Sequence, residues 1–185
     1  MKPNLKKVFL LALAGYFLVD FGTEVPEAAT YGKNINPPSS WKVPNKNSFV
    51  VATYNIRRSK GEDGKRAIDR SIKVLENFGA DIIGLNELSG TIFYGLKNQA
   101  EQVGKSLDAG WLFAPTYRQF FQDYFGNGIV SKFAVDWWAI HPLLSSEIHD
   151  SSPRNMIIAS IPVGDTRLYL INTHLDRRGD RREQL

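Results

Sequence analysis

The chain has 185 residues, a length that suits one domain with a tail. With 43% hydrophobic and 23% charged residues it has the composition of a folded globular protein, which excludes a mostly disordered chain; the absence of cysteine excludes disulfide scaffolds, thiol nucleophiles and thiolate metal sites. The net charge of +4 sits largely at the start: residues 1–47 hold six Lys against three acidic residues, and the remainder holds 17 Lys or Arg against 16 Asp or Glu, so net charge is no argument for a nucleic-acid groove.

Lys2, Lys6 and Lys7 precede an apolar run at residues 8–19 (VFLLALAGYFLV). A basic start followed by about a dozen apolar residues reads as a secretory signal, so residues 1–29 are expected to export the chain. The run is short for a spanning helix, which needs about 20 residues. Ala28 and Ala29 lack a small residue two places earlier, so an uncleaved anchor, with membrane contact through residues 8–19, stands beside the cleaved signal. A buried N-terminal helix is the structural alternative. Residues 30–47 (TYGKNINPPSSWKVPNKN) read as an irregular linker, and the domain is expected over 48–185.

Residues 48–56 (SFVVATYNI) are rich in β-branched and aromatic side chains and predict a buried strand. Residues 57–64 are polar with two Gly, a loop. Ile68, Ile72 and Leu75, with Val74 and Phe78, form the stripe of a helix over 65–78, ended by Gly79. Residues 81–88 (DIIGLNEL) are the next strand. Leu96, Ala100, Val103 and Leu107 predict a second amphipathic helix, closed by Gly110. Strands are then expected at 111–117, 128–133, 136–140, 155–163 and 166–173, with Gly164 and Asp165 as a hairpin turn between the last two. Residues 177–185 begin a helix. The class is α/β with a mixed sheet.

Three polar residues fall at strand ends: Asn55 in TYNI, Glu87 in GLNEL and His174 in NTHLD. Adjacent strand ends are where α/β sheets place their sites. An amide oxygen and a carboxylate are hard ligands that suit Mg²⁺ or Mn²⁺, and Mg²⁺ takes only one or two carboxylates while keeping several waters. A histidine beside such an ion can contact a phosphate oxygen or move a proton. Each residue has a plainer reading as well. Asn55 can be a turn residue bonding its own backbone, Glu87 a solvated strand end, His174 a satisfied histidine.

Five segments taken in order, VATYNIR at 51–57, ADIIGLNEL at 80–88, GNGIVSKF at 126–133, PRNMIIASI at 153–161 and INTHLDRRGDRREQ at 171–184, resemble the endonuclease/exonuclease/phosphatase superfamily of DNase I-like, metal-dependent phosphoesterases. The resemblance implies a DNase I-like α/β sandwich, present as its first half, a mixed sheet with helices on one face. It implies Mg²⁺ or Mn²⁺ on Asn55 and Glu87, His174 contacting or protonating the phosphate, Arg154 bracing the site, and Asn127 contributing an amide. The family carries Gln before the glutamate, where this chain has Asn86. The plainer reading of Arg154 is a surface arginine after a Pro turn, and Asn127 reads equally as part of a Gly-Asn-Gly turn. Tyr117 and Asp176 are weaker candidates. Arg177, Arg178, Arg181 and Arg182 read as a solvated basic face. His141 and His149 match no family position and read as loop residues.

The expected activity is hydrolysis of a phosphate ester of nucleic-acid, phospholipid or phosphorylated small-molecule type. The near-neutral body argues slightly against a nuclease. Trp137 and Trp138 beside Phe133 suit either a membrane-docking element or, more simply, core aromatics. The family continues with an Asp-x-Asn strand end and an Asp-His pair that supplies the general base, and neither motif occurs up to Leu185. General-base catalysis contributes about 10²–10⁴-fold, so a non-catalytic fragment lacking its base is the alternative expectation.

Overall fold

The computed structural model describes residues 33–34, 48–90, 98–118, 124–144, 153–163 and 165–175. The apolar run at 8–19, most of the 30–47 segment, His149, Asp176 and the arginines at 177, 178, 181 and 182 lie outside the described residues. The elements are β1 (Lys33–Asn34), β2 (Val51–Asn55), α1 (Ile68–Phe78), β3 (Ile82–Ser89), α2 (Gln99–Ser106), β4 (Gly110–Arg118), β5 (Tyr124–Ser131), β6 (Trp137–Leu143), β7 (Arg154–Val163) and β8 (Thr166–Thr173).

Two sheets form. One has the order β1-β4-β5-β3-β2, the other β6-β7-β8. Among the described residues only β2 and β3 pair in parallel, with α1 as their crossover, and every other strand pairing is antiparallel. The period-two alternation of a strand decides which way each residue packs. Along β3, β4 and β5, Ile83, Phe113 and Val130 pack with Leu75 of α1 and Val103 of α2. Their neighbours Ile82, Leu112 and Ile129 pack with Ile140, Ile157 and Ile161 of the second sheet. The central strands are thus apolar on both faces, as their near-continuous hydrophobic sequences require. The result is three layers, helices on sheet on sheet, an α/β sandwich of the DNase I-like kind. Among the described residues no helix is long and apolar enough to cross a membrane.

Several local expectations shift. Asn98 caps α2, its side chain accepting from the Glu101 N–H at 2.8 Å. That helix ends at Ser106 with Leu107 as its C-cap, and Asp108 takes the left-handed conformation next (φ 49°), so Gly110 is the first residue of β4 rather than a helix stop. Gly79 does close α1 at φ 59°. His141 belongs to β6, opposite Met156, not to a loop. The strand expected at 136–140 runs on through Pro142 to Leu143, because β6 is a sheet edge, where a residue without an N–H is tolerated. Strand β5 begins at Tyr124, so the Gly-Asn-Gly sequence is not a turn. Its glycines are required by close approach: a Cβ on Gly126 would lie 2.1 Å from the Ala114 carbonyl oxygen, and one on Gly128 2.4 Å from Leu88. Trp138 packs against the core between the sheets, while Trp137 is exposed on the outer face.

Candidate active site at the strand ends

The site is built from irregularities at one end of both sheets. Asn55 closes β2 opposite Asn86 of β3. On the other side of β3, Leu85 faces Gly128 and Leu88 faces Gly126, so Asn86 and Glu87 together oppose Asn127 alone. This is a β-bulge, and Glu87 within it has φ 58°. A non-glycine residue in that region costs roughly 1–2 kcal/mol, and bulges re-aim side chains beside active sites. A second bulge, at Thr116, interrupts the β4–β5 pairing between Pro115 and Tyr117. The Thr116 hydroxyl donates to the Phe125 carbonyl at 3.0 Å. Strand β5 therefore has an extra residue on each neighbour near the same level.

The bulge brings Glu87 to Asn55, whose Nδ2 donates to Glu87 Oε1 at 2.9 Å. Asn55 Oδ1 accepts from the Arg57 N–H at 3.0 Å, so the local turn bond and the site contact come from the same side chain. From the second sheet, His174 follows the end of β8 and sets its Nε2 3.8 Å from Glu87 Oε1. Arg154, the first residue of β7, sets Nη1 3.4 Å from His174 Nδ1. A guanidinium can only donate, so His174 Nδ1 is the acceptor of that contact and the neutral ring carries its proton on Nε2, toward Glu87. Four of the five expected site residues thus form one chain of contacts across the two sheets.

Asn127 lies behind them. It is 2% exposed, and its Nδ2 donates to Asn155 Oδ1 at 2.9 Å and to the Asn155 carbonyl at 3.3 Å. Two buried residues that the sequence reading passed over complete this layer. Asn155 Nδ2 donates to the carbonyls of Ala114 and Pro115 at 3.3 and 3.1 Å. Asn172 Nδ2 donates to the carbonyls of Leu85 and Gly128 at 3.1 and 2.8 Å. Each staples the second sheet to the first beside a site residue: Asn155 adjoins Arg154, and Asn172 stands two before His174. Thr173 adds a bond from its hydroxyl to the Asn155 carbonyl at 3.1 Å. The signal available in the sequence was an asparagine, a poor strand former, inside runs of Ile, Ala and Leu; when buried there it must find partners.

The donor set suits a hard divalent cation. Glu87 supplies a carboxylate and Asn55 an amide oxygen. The buried Oδ1 of Asn86 accepts no hydrogen bond, leaving an uncommitted oxygen one residue from Glu87. Among the described residues there is no cluster of three or more His, Cys, Asp or Glu, so a carboxylate-rich cage is not what they build. One carboxylate with amide oxygens and waters fits Mg²⁺ or Mn²⁺.

Residues 52–185 match the sequence profile of the Endonuclease/Exonuclease/phosphatase family. The chain belongs to that family. Among solved structures, an endonuclease/exonuclease/phosphatase from Beutenbergia cavernae is similar at TM-score 0.63 and 20% identity, over 74% of this chain and 42% of that one. A family protein from Leptotrichia buccalis is similar at TM-score 0.57 and 14% identity, over 70% of this chain and 55% of its own. These similarities establish the shared sandwich, and the chain spans about half the length of those family members. None of the curated proteins matches the sequence at a significant level.

Proposed function

We propose that this family member hydrolyses a phosphate ester with water in a divalent-metal-dependent reaction, at the strand-end site formed by Asn55, Glu87, Arg154 and His174. The observation that carries the reading is the contact chain from Asn55 through Glu87 and His174 to Arg154, assembled by a strained bulge and two buried asparagine staples. Strain of this kind is retained where function needs it.

Glu87 and Asn55 would hold the cation, Mg²⁺ or Mn²⁺, with Asn86 Oδ1 within the same strand end. When bound, such an ion neutralises charge on the phosphate and lowers the pKa of a coordinated water. The chain's own residues do the rest. Arg154 offers a permanently charged, forked donor to a non-bridging phosphate oxygen. His174 Nε2–H, held near Glu87, would donate a hydrogen bond to a phosphate oxygen bound at the same strand end. The asparagine layer keeps both sheets in register, so these donors need no reorganisation as charge develops.

The test is hydrolysis of bis(p-nitrophenyl) phosphate by the full chain with Mg²⁺ or Mn²⁺. The expected result is metal-dependent turnover that falls at least about 10²-fold in Glu87→Gln, the scale of losing one preorganised charge at the reacting phosphate. A folded sample without turnover at high protein concentration would overturn the reading in favour of a non-catalytic fragment. The single described carboxylate at the site is the observation that keeps that second reading in view.

A further inference from the structure

The turn that follows Asn55 is built in an unusual way. Arg57, Arg58 and Ser59 have φ of 49°, 52° and 57°, three successive non-glycine residues in the left-handed region. Left-handed conformations normally occur singly. Here they are held from several sides. The Ser59 N–H donates to the Ile56 carbonyl at 2.7 Å and the Ala67 N–H to the Ser59 carbonyl at 3.0 Å. Gln99 of α2 clamps the turn to β3, giving Nε2 to Ser59 Oγ at 3.0 Å and accepting the Ser89 N–H at 2.8 Å.

The turn determines where Arg58 goes. Its guanidinium carbon lies 4.8 Å from the centre of the Phe125 ring, a cation–π contact. Phe125 is in β5, and β3 lies between β2 and β5. A side chain that leaves the end of β2 and reaches Phe125 must cross the end of β3, the strand that carries Glu87. Phe125 pairs with Ser89, two residues beyond Glu87, about 7 Å along the strand. Arg57, by contrast, is spent on Glu62 at 2.9 Å in an exposed ion pair. No carboxylate pairs with Arg58 among the described residues, and its planar group is oriented by the ring.

We propose that Arg58 is a specificity-determining residue that binds a second phosphate of the substrate, one linkage removed from the phosphate at Glu87 and His174. This rests on the phosphoesterase reading above and adds a substrate class to it: esters that carry a neighbouring phosphate. Stacked on Phe125, the guanidinium has already given up much of its rotamer freedom, so little is lost when an anion arrives. Glu87 and Ser89, the residue that Phe125 faces, are about 7 Å apart along the β3 backbone, the scale on which successive phosphates follow one another along a sugar–phosphate chain or around a polyphosphorylated ring.

Paired ligands that differ by one phosphate test it on the full chain. One pair is the thymidine dinucleotide TpT and its phosphorylated form TpTp. The other is glycerophosphoinositol and its 4-phosphate. Affinities are measured by calorimetric titration with divalent metal withheld, so that turnover does not intrude. The expected result is a preference of about tenfold or more for the bisphosphate within one pair, the scale of a charged hydrogen bond, and that pair identifies the source. The preference collapses toward one in Arg58→Gln and in Arg58→Asn, the second chosen because asparagine tolerates the left-handed region. Equal affinity within both pairs for the wild-type chain, or a preference that survives in a folded Arg58 variant, overturns the proposal. Hydrolysis of bis(p-nitrophenyl) phosphate with Mg²⁺ is followed separately: failure there removes the phosphoesterase reading, while the affinity ratio still decides the role of Arg58.

Discussion

Asn172 and Gly84 should behave as one unit, and a double-mutant cycle can show it. Asn172 is 5% exposed and gives two hydrogen bonds, at 3.1 and 2.8 Å, to carbonyls of the facing sheet. Intramolecular hydrogen bonds contribute about 0.5–1.5 kcal/mol each, so Asn172→Ala should cost about 1–3 kcal/mol. Gly84 leaves the space that the asparagine occupies. A Cβ at position 84 would lie 2.8 Å from Asn172 Oδ1 and 3.1 Å from its Cγ, but 3.6 Å from its Cβ. Gly84→Ala alone should therefore cost about 1–3 kcal/mol by overpacking. With alanine already at 172, only the ordinary 3.6 Å contact remains. Gly84→Ala should then be close to neutral, or stabilising by up to about 1 kcal/mol through the unfolded chain. The expected coupling is at least about 1 kcal/mol, in the range found for residues in contact. Equilibrium urea unfolding of the four proteins measures it, with heat scans as a check at about 2–4 °C per kcal/mol. Additive costs, with Gly84→Ala equally damaging in both backgrounds, would refute the claim that this amide holds the sheets together against a glycine.

Two further predictions concern the frame of the site. Gly126→Ala would put a Cβ 2.1 Å from the Ala114 carbonyl oxygen and 2.6 Å from Pro115 Cα, both backbone atoms. Nothing flexible can yield, so a loss of about 3 kcal/mol or more is expected; a native near-UV circular dichroism spectrum with wild-type urea resistance would show that the β4–β5 approach is looser than described. Asp136 and Arg167, 2.5 Å apart and exposed, link the start of β6 to β8. The Arg167 guanidinium, and then Ser160, hold the Asp136 carboxyl below its ordinary value. A depressed folded value means the carboxylate's contribution is present above the unfolded value of about 4 and fades as pH falls through the folded one. The difference in urea midpoint between wild type and Asp136→Asn should be small at pH 7 and vanish near pH 2, and a gap that widens in acid would contradict that sign.

Much of the frame was legible in the chain because it follows from periodicity. The apolar strands at 51–55 and 82–89 with the striped helix between them spell a parallel β-α-β unit. The two-residue connection at 164–165 spells the hairpin whose register runs out to Val163 opposite Thr166. Asn55, Glu87 and His174 stood out as polar residues at the ends of apolar strands, each with a plainer reading beside the functional one, and Arg154 entered only through the family resemblance. What periodicity cannot express is an extra residue in a ladder. Glu87 meets Asn55 because two residues of β3 oppose one of β5, and the sequence GLNEL carries no mark of that count. The glycines at 126 and 128 looked like a turn because glycine's two uses, freedom of φ and absence of a Cβ, are indistinguishable until the neighbouring strands are in place.

The sequence by itself determined the family and most of the strand-and-helix order, because these depend on local pattern, and it marked the polar strand-end residues as candidates by their side-chain chemistry. Only the tertiary structure decided how they meet. Asn155 and Asn172 became staples when a second sheet came within reach of their amides. Arg58 reached Phe125 only because a left-handed turn carried it from the end of β2 to β5. Contacts between residues 40 to 90 positions apart depend on sheet order and bulge placement, which are settled by the packing of whole layers and by no single segment.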